Sequence, residues 1–192
     1  MLALVVGLVV FLGLHSVRIV AEDWRSARLA QWGEARWKGL YSLASIAGFA
    51  LLVWGYGMSR AAPIDLWQPP LFTRHLASLL TLPAFVLLAA AYVPGTRIKA
   101  RLGHPMILGV KLWALAHLLA NGRLGDVLLF GGFLVWAVFD FRAARARDRQ
   151  AGLVRPAGSL ARDIVALAVG LVAWAAFAVF LHGWLIGVRP FG

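Results

Sequence analysis

Seven ionisable side chains stand within or at the edges of otherwise apolar runs: His15, His75, His104, Lys111, His117, Asp140 and His182. A charge facing lipid is costly, so such residues are expected to face a protein interior. All five histidines of the chain belong to this set, and there is no cysteine. The lack of cysteine removes thiolate nucleophiles, disulfide frameworks, iron–sulfur clusters and cysteine zinc sites. Imidazoles without thiols suit haem iron, zinc or copper better than nucleophilic catalysis. No His-x-x-x-His pair and no Glu-x-x-His motif occurs, so a zinc or di-iron site borne on one helix has little support. Two histidines on different helices closing on the faces of one planar macrocycle need no local spacing. That arrangement survives.

The stretch from His104 to Gly122 carries most of the information. Pro105 suits a helix start, where its missing N–H costs nothing, with His104 as cap or lead-in. Gly109, Trp113, His117 and Asn121 recur every four residues and share one helix face. A small residue, an aromatic plate, an imidazole and an amide on one stripe suit a flat ring. The small residue also permits close helix packing. Lys111 shares the face of His104 and either snorkels to the interface or meets an acidic group such as a haem propionate. Arg18, one turn beyond His15, either holds a propionate by charge-assisted hydrogen bonds or is a positive-inside anchor. Asn121 suits a ligand contact, although ending the helix before Gly122 explains it as well. His75, next to Arg74, reads as a headgroup residue, and Asp140 as the partner of Arg142 or another loop cation.

The elements that must position these groups follow from composition. Of 192 residues 61% are apolar and 14% charged, with a mean hydropathy of +0.79. A soluble globule needs more polar surface than this. The chain reads as an all-α, polytopic bundle in a lipid bilayer. Six spans are expected: 1–17, 39–59, 75–96, 105–120, 124–141 and 164–188. The fourth and fifth read as a helical hairpin turning at Asn121-Gly122-Arg123. The first run lacks a basic n-region and a small-x-small cleavage site, so it reads as a mature span. The whole chain, 1–192, reads as a single transmembrane domain.

The net charge of +11 raises the question of nucleic acid, but the charges lie in short blocks between apolar runs, so no nucleic-acid partner is expected. Fourteen Lys and Arg fall in 18–38, 97–101 and 142–162, against four at Arg60, Arg74, Arg123 and Arg189. The imbalance places both termini outside and the three basic connections, including 142–149 as a basic loop, in the cytoplasm. His15 then lies in the inner half of its span and His117 in the outer half, so their depths differ by about 10 Å. His182 matches the depth of His117 better. His117 is the first candidate ligand, His15 the second, and His182 the alternative second ligand.

Several blocks together resemble the NnrU family of bacterial inner-membrane proteins over nearly the whole length. They are Leu14-His15-Ser16 with Arg18, the run 33–42 (GEARWKGLYS), the His104-Pro105 to Asn121-Gly122 block, and Leu181-His182. The resemblance implies a role in nitrogen-oxide metabolism, in support of the nitrite and nitric oxide reductases of denitrifiers. It makes reductase assembly components the expected partners besides lipid. The long block is also distantly similar to 15-cis-zeta-carotene isomerase, a haem b membrane enzyme. That similarity places its proposed haem histidines on His15 and His117, and its cysteine on Ala114. The implied cofactor is haem b, with His15, His117, His182, His104, Arg18, Lys111, Trp113 and Asn121 as the candidate site. Three readings remain: a haem b protein supporting nitrogen-oxide respiration, an isomerase of a polyene or lipid, and a cofactor-free transporter or assembly factor. The last has no paired repeats or broken helices in the sequence to recommend it.

Overall fold

The uncharged runs become helices, and most extend past the charges that close them. The computed structural model describes residues 1–191. Within these residues lie α1 (Leu2–Val20), α2 (Glu22–Trp32), α3 (Glu34–Ala61), α4 (Phe72–Tyr92), α5 (Arg97–Leu102), α6 (Pro105–Ala120), α7 (Leu124–Gln150) and α8 (Leu160–Ile186). The last helix contains a π-helical segment, Phe177–Leu181. No strand is found among the described residues, as an all-α bundle requires. Five helices, α1, α3, α4, α7 and α8, are long and apolar enough to cross a membrane. The sixth expected span, α6, is apolar but only 16 residues long. At about 1.5 Å per residue it falls short of a hydrocarbon core of about 30 Å.

Two segments read as connections are helical. The basic stretch 142–149 is not a loop but the end of α7, because Ala and Arg are strong helix formers and no Gly or Pro intervenes before Gly152. The region 18–38 holds α2, whose Glu22 and Asp23 occupy a first turn where the helix dipole favours negative charge. Arg28 lies 5.9 Å from the rings of both Trp24 and Trp32, a combination suited to the headgroup region.

Contacts divide the chain into two units: Met1–Gln68 with Gly122–Asp140, and Pro69–Asn121 with Phe141–Gly192. In the first unit α1 and α3 run antiparallel with their main chains in contact. A Cβ at Gly7 would lie 2.5 Å from the Leu52 nitrogen, and one at Gly55 would strike the main chain of Leu4. Leu4 itself is fully buried. The first part of α7 joins them, with Gly125 against the Ser59 hydroxyl and Gly132 against Leu8 and Leu12. Small residues at these crossings allow the close approach on which helix association in lipid depends.

The same unit holds a buried polar pair. Asp126, 4% exposed, accepts a 2.6 Å hydrogen bond from the Tyr56 hydroxyl. It ties α3 to α7 across 70 positions of sequence. Replacing Tyr56 by Phe withdraws that donor from a buried carboxylate and is expected to destabilise the protein by about 1–3 kcal/mol. Thermal unfolding in detergent checks this, and an unchanged midpoint counts against it. The loop after α3 is fastened to the start of α7: Leu66 and Trp67 donate to the Gly122 carbonyl at 2.8 and 3.2 Å, and Leu124 donates to the Ile64 carbonyl at 2.9 Å. The second part of α7 returns along α6, where Phe141 meets Lys111 and Asp148 meets His104. The first part of α7 packs with α1 and α3, and α6 packs with α4.

In the second unit α4 lies between α6 and α8. A Cβ at Gly109 would come within 2.9 Å of the Ala84 carbonyl oxygen, and one at Gly170 within 2.6 Å of the Val86 Cα. Trp174 on α8 donates to the Thr81 hydroxyl of α4 at 3.1 Å. The turn after α4 is locked by Thr96, 1% exposed, whose hydroxyl accepts from the Lys99 N–H at 3.0 Å. Ser159 N–H donates to the Gly95 carbonyl at 2.9 Å, and Asp163 accepts from the Ile98 N–H at 3.2 Å, so the start of α8 is held to that turn.

Candidate functional site

With α4 as the common support, α6 and α8 bring two imidazoles together. The ring centres of His117 and His182 are 6.5 Å apart and the planes differ by 26°. Each ring is oriented by a main-chain oxygen. His117 Nδ1 lies 2.8 Å from the Trp113 carbonyl, and His182 Nδ1 lies 2.6 Å from the Val188 carbonyl. A carbonyl oxygen only accepts, so both rings carry their proton on Nδ1 and Nε2 is the lone-pair nitrogen. Metal-ligating histidines are commonly set in this way. Aromatic rings flank the pair: Trp113 at 5.2 Å from His117 and Phe177, edge-on, at 5.8 Å from His182. Phe177 in turn meets Phe85 of α4 at 5.8 Å.

The placement of His182 has two local causes. The π-helical segment Phe177–Leu181 ends at the residue before it. A π-turn holds one residue more than an α-turn, which rotates everything beyond it by about 100° relative to a continuous α-helix. Gly187, with φ of 74°, then reverses the chain and brings the Val188 carbonyl back to the imidazole. Only glycine adopts that conformation without strain. Deleting Ala178 is expected to restore an α-helical register and carry His182 about 100° away from His117. The chain has no cysteine, so the H117C/H182C pair tests this cleanly. A short bis-maleimide should join the two in the full-length chain and fail to do so after the deletion.

The other candidates lie elsewhere. His104 is at the opposite end of α6 from His117, about 20 Å along the axis. Its Nε2 meets Asp148 at 2.8 Å, and Arg155 donates to the same carboxylate oxygen at 2.7 Å. Lys111 places its ammonium 4.0 Å from the centre of the Phe141 ring, a cation–π contact. Phe141 also meets His104, at 6.3 Å, as the seven-residue spacing of His104 and Lys111 on one face leads one to expect. Asn121 donates through Nδ2 to the His117 carbonyl at 2.8 Å, and it is the extended residue that ends α6. Gly109 serves the crossing with α4. His15 belongs to the first unit, where its Nδ1 meets the Phe11 carbonyl at 2.7 Å and its ring contacts Phe11, Tyr41 and Trp136. Arg18 is also in that unit, with Nε 3.6 Å from Glu22. His75 is exposed. Among the described residues there is no group of three or more His, Cys, Asp or Glu able to hold a metal ion, so a site here has to be built on a pair.

Sequence reasoning missed the Tyr56–Asp126 pair and the π-segment. Asp126 carried a usable signal, an acidic residue in the first turn of an apolar helix just after Asn121-Gly122-Arg123. Phe177–Leu181 carries none, because its residues suit an α-helix equally well.

The fold is that of a polytopic α-helical membrane protein that brings two imidazoles together within one unit. The chain belongs to the NnrU family: the family model described as NnrU protein matches residues 3–190. No curated protein and no solved structure matches the chain.

Proposed function

We propose that the chain is a haem b-binding protein of the bacterial inner (cytoplasmic) membrane that supports nitrogen-oxide metabolism, with α6 as a short sixth crossing and both termini periplasmic. His117 and His182 are the proposed iron ligands. The observation that carries this reading is the approach of the two rings from separate helices with both Nδ1 atoms committed to main-chain oxygens.

The donor set fits the group. One metal held by both imidazoles through Nε2 would call for ring centres about 6 Å apart. The separation here is 6.5 Å. Two neutral nitrogen donors suit haem iron, while a zinc site needs more ligands than the described residues gather. Trp113 and Phe177 supply apolar walls beside the pair. Ala114, which takes the place of the isomerase cysteine, is fully buried, so no sulfur ligand stands beside His117. Haem held by His117 and His182 would supply an iron centre suited to electron transfer or to the sensing of nitric oxide. The residues of the chain hold the ring nitrogens in one tautomer. The family resemblance adds the nitrite and nitric oxide reductases, through their assembly components, as the partners.

An absorption spectrum of the detergent-purified protein from haem-replete cells tests the cofactor. A Soret band that sharpens on reduction is expected, and colourless protein overturns the reading. Deleting the chain from a denitrifying host is expected to slow nitrite consumption and leave aerobic growth intact. Unchanged consumption removes the nitrogen-oxide role and leaves the cofactor assignment standing.

A further inference from the structure

The His117–His182 pair leaves His15 without a task, yet His15 heads a groove of its own. The groove lies wholly in the first unit, between α1 and α3, and encloses about 440 Å³. Phe11, Ile46 and Phe49 form its apolar length, and His15, Tyr41 and Ser45 its polar end. Ile46 and Phe49 are 65% and 52% exposed, so the apolar length is open to the surroundings of the helix pair. Phe11 lies 4.3 Å from the imidazole centre, Tyr41 at 5.6 Å and Trp136 edge-on at 6.1 Å, which gives the polar end flat walls.

The hydrogen-bonding groups at that end are incomplete. His15 Nδ1 donates to the Phe11 carbonyl at 2.7 Å, which makes Nε2 an acceptor. The buried Ser45 hydroxyl reaches the Tyr41 phenol, while the buried Trp136 indole N–H has no hydrogen-bond partner among the described residues. Buried donors are almost always satisfied, so an orphan N–H beside an oriented imidazole points to a missing partner. A hydrocarbon leaves both groups unanswered. A ring hydroxyl answers them, because it donates to Nε2 and accepts from an N–H with the same oxygen. Arg18, one turn past His15, places this end near the basic edge of α1, where a ring oxygen enters from the headgroup level while a tail follows Ile46 and Phe49 into the lipid.

We propose that the groove between α1 and α3 binds a lipid-soluble hydroxylated ring of the quinol class, with His15 Nε2 accepting from its hydroxyl. The apolar rim selects for a tail, and the imidazole selects the dihydroxy form over the oxidised quinone, which has no hydroxyl to donate.

Calorimetric titration of the detergent-purified full-length chain with decylubiquinol, against decylubiquinone under the same conditions, tests this. Saturable binding at one site is expected, about tenfold tighter for the quinol, since the imidazole acceptor is matched only by that form. Ile46→Trp fills the groove from an exposed position and should weaken binding at least about tenfold. His15→Leu should do the same and leave the Soret band in place. Leu79→Trp, on the exposed face of α4 in the other unit, should bind as the unaltered chain does. Non-saturating uptake equal in all variants, equal affinity for both forms, or a Soret band lost with His15→Leu overturns the proposal. The last result makes His15 an iron ligand. Should His15→Leu fail to fold, Ile46→Trp carries the test alone.

Discussion

His117→Ala is expected to yield protein with roughly a tenth or less of the Soret absorbance of the unaltered chain. The argument rests on the pairing of its ring with that of His182 and on the support each ring receives. His117 sits on α6, and its Nδ1 is bonded to the Trp113 carbonyl of the same helix. That bond is internal to α6, so its loss leaves the backbone ladder of the helix in place. Ala is also the better helix former, so α6 should persist. What is lost is one of two nitrogen donors, and the remaining imidazole, on a half-buried residue near the end of α8, is then the only ligand. His182→Ala is expected to act in the same direction, and the double variant should be colourless. His75→Ala, at an exposed position on α4, should retain full absorbance. Circular dichroism on each protein confirms that helix content is retained. A chain that bleaches with His15→Ala and keeps its colour with His182→Ala would move the second ligand to the first unit.

The second large effect concerns packing. Gly55→Val is expected to destabilise the first unit by about 3 kcal/mol or more, because the new side chain meets main chain rather than a movable side chain. A Cβ at this position strikes the backbone around Ala3 and Leu4, Gly7 meets the Leu52 backbone as closely, and Gly48 is less tight, meeting the Val10 side chain first. α1 must then tilt away from α3, and the Gly125 and Gly132 contacts of α7 go with it. Gly57→Val, two residues on, is the control. A Cβ there meets nothing within 4 Å. Both glycines lie in the same helix, so intrinsic helix propensity cancels in the comparison and only the crossing differs. Size-exclusion profiles and melting midpoints in detergent should separate the two variants. Equal behaviour would mean that α1 and α3 do not depend on backbone contact.

The membrane class and the positions of the apolar helices were legible because they follow from hydropathy over whole runs. Their ends were not. The apolar rule stops a span at a charge, whereas Ala and Arg let α7 run on through 142–149 as a polar helix. The hairpin at Asn121-Gly122-Arg123 was a sound reading of a turn, yet a turn says nothing about partners. Gly109 and Gly125, which look alike in sequence, set α6 against α4 and the first turn of α7 against α3, while Phe141 and Asp148 farther along α7 meet Lys111 and His104. At the site, the depth argument had already matched His182 to His117 better than His15, and the two rings do meet. The distant similarity to the isomerase pulled the other way, toward His15. The Nδ1 contacts of all three rings were invisible, since they depend on where a carbonyl falls. For His182 they depend further on a π-turn and a glycine reversal.

The interleaving of the two units has a consequence for biogenesis. The first unit needs Gly122–Asp140, which leaves the ribosome only after Pro69–Asn121 has been made. At about 5–20 residues per second, α1 and α3 wait on the order of seconds for their third helix. Throughout that interval the Tyr56 phenol has no Asp126 to bond, and the faces at Gly125 and Gly132 are missing. The nascent protein therefore passes through a stage in which an unsatisfied hydroxyl lies at membrane depth, a natural point for an insertion chaperone to hold the chain.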